Sequence, residues 1–178
     1  MAGELAAGRG ACVLAAHGGV LERDVGWGVV RQLFEPLVFG PGRIEGLLDG
    51  AARAAAPVFG LPAPAAVVPL GADPTPGAVH ALFRVVARLA ETGPVLVSVD
   101  DAHWADEASL RWLVYLARRV ERLPVVVAVA RRLGEPSDQD ALLGELRAVG
   151  GAAVVVPRAL SEAAAGVLAA ETFATAAD

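Results

Sequence analysis

Residues 95–106 read Val95-Leu96-Val97-Ser98-Val99-Asp100-Asp101-Ala102-His103-Trp104-Ala105-Asp106. A short apolar run stops at two adjacent carboxylates. Val and Leu without polar alternation describe a strand buried on both faces, as in a parallel sheet. Asp100 and Asp101 then fall at the C-terminal end of that strand, where open α/β sheets place their ligand chemistry. The plainer reading is that the pair ends a strand and starts a turn, which Asp does well. Asp106 follows as an N-cap, its carboxylate able to accept from free backbone N–H groups of the next helix.

Working outward, residues 11–16 form a short apolar run flanked by Gly10 and Gly18, which reads as another strand. Val29, Val30, Leu33, Phe34 and Leu37 recur at helical spacing, with Pro36 near the end. Ile44, Leu47, Leu48 and Ala52 predict a helix over 44–58. Residues 56–77 hold Pro57, Pro62, Pro64, Pro69, Pro74 and Pro76, a density that reads as a long surface loop. An amphipathic helix follows over 78–91. After the 95–99 strand, Leu110, Leu113, Val114 and Ala117 face inward on a helix to about residue 121. Pro124 opens a buried strand over 125–130, ending at Arg131 and Arg132. A short helix over 140–149, a β run at 154–156 and an alanine-rich helix from the Ser161 cap to about 173 complete the chain. Strands alternating with helices imply a parallel sheet with covering helices, an α/β class. There is no internal repeat and no second domain.

The 178 residues suffice for one domain with a core. Much of the 55% hydrophobic content is alanine, so core volume must come from the Val and Leu runs. All 15 basic residues are arginine. Without lysine, no Gly-x-x-x-x-Gly-Lys-Ser/Thr phosphate loop occurs. A net charge of −5 without a basic cluster argues against nucleic-acid binding. The single cysteine, Cys12, excludes an internal disulfide framework and reads as a small, buried apolar residue in a reducing cytosol. No apolar run reaches the roughly 18–20 residues of a membrane span, and Glu4 and Arg9 interrupt any signal-like stretch. The expectation is a cytoplasmic protein. No nucleophilic triad is supported, since Ser98 lies within a strand and no Gly-x-Ser-x-Gly occurs. A metal cluster of Asp100, Asp101 and His103 lacks a second histidine or a cysteine at ligand spacing.

Three segments carry a resemblance. Residues 19–37, from Gly19-Val20-Leu21-Glu22-Arg23-Asp24 to Glu35-Pro36-Leu37, resemble a stretch in the ATPase module of large LuxR-type transcriptional regulators. These belong to the signal-transduction ATPases with numerous domains, an AAA-like branch of P-loop NTPases. Residues 96–106 resemble that family's Walker B segment, hydrophobic-Asp-Asp-Ala-His/Gln-Trp-Ala-Asp. Residues 123–136 look like its next strand and a terminal arginine at a sensor-type position, with Val129 where the family often has Thr. Together the matches span most of residues 10–160.

The resemblance implies an incomplete P-loop NTPase-like parallel sheet flanked by helices, lacking the first strand and phosphate loop. Residues 1–178 would be a single partial AAA-like domain, with residues 1–9 the tail of a preceding helix and 158–178 the start of a helical extension. Asp100 would ligate Mg²⁺, Asp101 would orient the attacking water, and Arg131, more than Arg132, would sense the γ-phosphate. His103 and Trp104 fit the family string but read best as packing at the strand–helix junction. Trp27, Phe34 and Trp112 read as core or interface residues, and Glu22-Arg23-Asp24 as a solvated turn. ATP and Mg²⁺ are the implied cofactors. Without the phosphate loop the expectation is no ATP binding at micromolar concentration and no meaningful hydrolysis. In the family the missing strand lies between the sensor strand and the last strand. Residues 125–130 and 154–156 must therefore pair directly or leave an open edge. That edge implies marginal stability, self-association, or docking on a full-length regulator. Three readings stay open: a truncated module inactive by itself, an ATPase completed by an upstream or partner segment, and a non-enzymatic interaction module.

Overall fold

In the computed structural model, three parallel strands stand side by side in chain order: β1 (Cys12–His17), β2 (Val95–Asp100) and β3 (Val125–Val129). The structure describes residues 2–20, 23, 25–62, 75–132, 134 and 138–175, and side chains outside 2, 4, 5, 75 and 171–175 of these. The helices are α1 (Ala2–Ala7), α2 (Gly28–Val38), α3 (Thr75–Thr92), α4 (Glu107–Ala117), α5 (Asp140–Arg147) and α6 (Glu162–Thr175), with a 3₁₀ helix over Gly50–Phe59. Cys12 is level with Val95, and Val95 with Val125, so the strands run in step. The α/β class and parallel sheet expected from the alternation are present.

The register explains the layers. Cys12, Leu14 and Ala16 share a face with Val95, Val97, Val99, Val125, Val127 and Val129, and all nine belong to or pack on the main core. Helices α2, α3 and α4 supply the rest of that core through Val29, Val30, Leu33, Leu82, Val86 and Leu113. Its aromatic centre is Phe34, with Trp112 edge-on at 5.5 Å and Phe59 at 6.4 Å. Among the described residues the opposite face is met by α1, where Gly3 lies against Val13. Ala15 and Val126 on that face are exposed.

Five expectations are corrected. The helix over 44–58 is turns followed by the 3₁₀ helix. Gly46 and Gly50 adopt left-handed φ values of 67° and 59°, which interrupt an α-helical run, and Arg88 Nη1 pins the Gly46 carbonyl at 2.6 Å. The loop over 56–77 is shorter at both ends. Residues 56–59 finish the 3₁₀ helix, and α3 starts at Thr75 with Pro76 in its first turn, where a missing N–H costs nothing; positions 63–74 lie outside the described residues. Helix α4 ends at Ala117, the Arg118 cap leading into tight turns. Strand β3 is a half-exposed edge rather than a buried strand, because among the described residues no strand lies beyond it. Residues 154–156 form no strand: every described residue from 151 to 170 is exposed, so this run is not seated against a sheet edge of its own chain. Of the expected turn at 22–24, only Arg23 is described, and it pairs with Asp138.

The candidate site at the strand ends

The C-terminal ends of all three strands converge. Beyond β1, the Gly18 N–H donates to the Asp100 carbonyl at 2.8 Å. Beyond β2, the Ala102 N–H donates to the Ala130 carbonyl at 2.9 Å. These bonds prolong the ladder past the strands and bring His17, Asp100, Asp101, Arg131 and Arg132 to one end of the sheet. Gly18 is required there, since a Cβ would collide with the carbonyl oxygen of Asp101.

The two carboxylates are not equivalent. Asp100 is exposed, and its Oδ1 accepts from the Asp101 N–H at 2.9 Å. Asp101 has left-handed backbone (φ 45°, ψ 42°), a conformation Asp tolerates better than most residues. Its side chain is only 17% exposed and lies among three nitrogenous groups. His17 Nε2 is 3.8 Å from Oδ2; His103 Nδ1 and Arg132 Nε are 3.9 and 3.5 Å from Oδ1. His17 is in turn held at its backbone by Gln32, whose Oε1 accepts from the His17 N–H and whose Nε2 donates to the His17 carbonyl. Arg131 reaches elsewhere, its Nη1 3.0 Å from Asp140 Oδ1. In this geometry the arginine beside the acidic pair is Arg132. His103 is buried and stacks obliquely on Trp104, with ring centroids 5.2 Å apart, at the expected strand–helix junction.

Asp106 supports the site from behind. Its Oδ1 accepts from the Ser109 N–H at 2.9 Å, the expected cap of α4. The same carboxylate also accepts from Trp27 N–H (2.8 Å) and Val29 N–H (3.4 Å), while Ser109 Oγ accepts from Val30 N–H (3.1 Å). Two helix N-termini thus share one buried acid, which satisfies donors that α2 cannot satisfy itself. Trp27 adopts φ 66° to present its N–H.

A hard cation accepts carboxylate, water and phosphate oxygens, and Mg²⁺ needs only one or two carboxylates from protein. Asp100 fits that requirement. Among the described residues no group of three or more His, Cys, Asp or Glu is arranged to hold a metal by itself. No lysine is present to reach a phosphate, and two shallow hollows of about 310 and 270 Å³ lie elsewhere, one between α3 and the end of α4, the other around residues 38–61. His17 and Gln32 escaped the sequence reading, since a single His closing a strand carries no spacing signal. No family model, curated protein or solved structure matches the chain. Among the described residues no helix is long and apolar enough to cross a membrane.

Proposed function

We propose that this chain is a partial ATPase module of the kind found in LuxR-type transcriptional regulators, carrying the Walker B half of a nucleotide site and inactive by itself. The carrying observation is the exposed Asp100 beside the enclosed Asp101 at the end of the central strand of a parallel sheet. In this reading Asp100 contributes one oxygen to a divalent cation, and Asp101, held by its neighbours, orients rather than ligates. Arg131 is the sensor by resemblance; Arg132 is the arginine that lies at Asp101. ATP and Mg²⁺ stay with the family reading, and no catalytic step is assigned to residues that lack a phosphate cradle.

Titration with Mn²⁺ and a fluorescent ATP analogue tests this. Wild type should show weak, millimolar cation binding that Asp100→Ala removes, no saturable nucleotide binding at micromolar concentration, and no turnover. Cation binding indifferent to Asp100 sinks the Walker B assignment. Saturable nucleotide binding that Asp100→Ala weakens favours the second reading, an ATPase site that works without its own phosphate loop or is completed by a partner.

A further inference from the structure

Among the described residues β3 ends the sheet, so half its backbone groups face no neighbouring strand there. Val95 N–H donates to Pro124 O, and Ala130 N–H to Val99 O, so even-numbered residues face β2. By the alternation of a parallel ladder, the N–H and C=O groups of Val127 and Val129 point away from the sheet. Val126 is 62% exposed on the thinly covered face. Within Val125–Val129 this edge is wholly apolar and carries no charged side chain or proline of the kind that keeps sheet edges from pairing.

The same chain carries a matching element. Residues 153–156, Ala153-Val154-Val155-Val156, belong to neither helix nor strand, and Val155 is 81% exposed. Such β-branched residues are poor surface and good strand. Pro157 follows and, lacking an N–H, stops any ladder there. The run sits in an arm exposed along all of residues 151–170, so it takes no seat on its own core.

We infer that the arm of one copy adds residues 153–156 as a fourth strand to the β3 edge of a second copy, and reciprocally, making a strand-exchanged dimer. Main-chain hydrogen bonds to Val127 and Val129 supply the affinity, and the valines cover Val126. Exchange of an identical element closes with two-fold symmetry, so this contact does not propagate into a chain of copies. The pairing uses no residue of the acidic site and stands apart from nucleotide chemistry.

Sedimentation of the full chain across a wide concentration range tests it, with tryptic cleavage after Arg158 as a local readout. Wild type should dimerise, with Arg158 protected in the dimer. Val155→Asp, in the exposed arm, and Val126→Lys, on the edge, should each weaken dimerisation by roughly tenfold or more. Mixing the two variants should restore one arm–edge contact and protect Arg158 of the Val126→Lys chain alone. A wild-type monomer with Arg158 open overturns the inference. So does Arg158 protected in a monomer, which places the arm on its own edge, or association that Val155→Asp leaves unchanged. Should Val126→Lys fail to fold, Val155→Asp alone decides, because its side chain touches no core.

Discussion

Asp106 ties two helices together, because one buried carboxylate accepts from N–H groups at the start of both. Removing it strands N–H groups that water cannot reach. Asp106→Ala should cost about 2–4 kcal/mol, more than an ordinary cap, and Asp106→Asn should cost less because its amide oxygen still accepts. Urea unfolding of the three proteins measures this. Gly18→Ala should cost about 1–3 kcal/mol by driving β1 away from Asp101. At Cys12, partial burial pushes the thiol above its ordinary pKa. The folded state therefore prefers the protonated thiol. Its contribution to stability is full below the unfolded-chain pKa and is lost as pH rises through the folded one. The alkaline loss of stability should shrink in Cys12→Ser, and iodoacetamide should label native Cys12 slowly at neutral pH. The cap role of Asp106 was legible from its place before a helical pattern. Its hold on Trp27, 79 positions away, was not, since nothing local encodes a tertiary hydrogen bond.

Strands β1 and β2 were readable to within a residue or two because apolar runs bounded by Gly, Pro or Asp have few other uses. The 44–58 stretch misled because apolar spacing outweighed two glycines that the backbone needs at positive φ. A paired substitution separates the two kinds of glycine. Gly50→Ala forces an L side chain into left-handed backbone and should destabilise by about 1 kcal/mol. Gly77→Ala, in the first turn of α3 with open space around it, should stabilise by roughly 0.5–1 kcal/mol. Thermal melts of the two variants should move in opposite directions. The valines at 154–156 show the limit of local reading: composition describes a strand former, but a strand needs a neighbour, and neighbours are not written locally.

Considered whole, the described residues join a helix-covered core to an arm exposed throughout 151–170. If the arm completes the sheet of a second copy, folding and association share free energy. The melting temperature should then rise with protein concentration in wild type and stay flat in Val155→Asp, as mass action requires. Scanning calorimetry at several concentrations distinguishes the two. The class and the acidic end of the central strand were visible from one twelve-residue string. The partners of that acid, His17 and Arg132, arrive from the ends of two other strands and depend on a parallel register that only the folded chain displays.

That register sets a schedule on the ribosome. Because Cys12 sits opposite Val95, the first strand leaves the exit tunnel without its β2 partner and waits until residues 18–94 have been translated. Through that interval residues 12–17 are an apolar segment without the strand they pair with in the folded chain. Once Val95–Asp100 emerges, β3 needs only α4 and a brief delay to follow. Synonymous codons that slow translation across residues 18–94 would lengthen that segment's exposure, and expression yield would register it before any property of the finished fold changed.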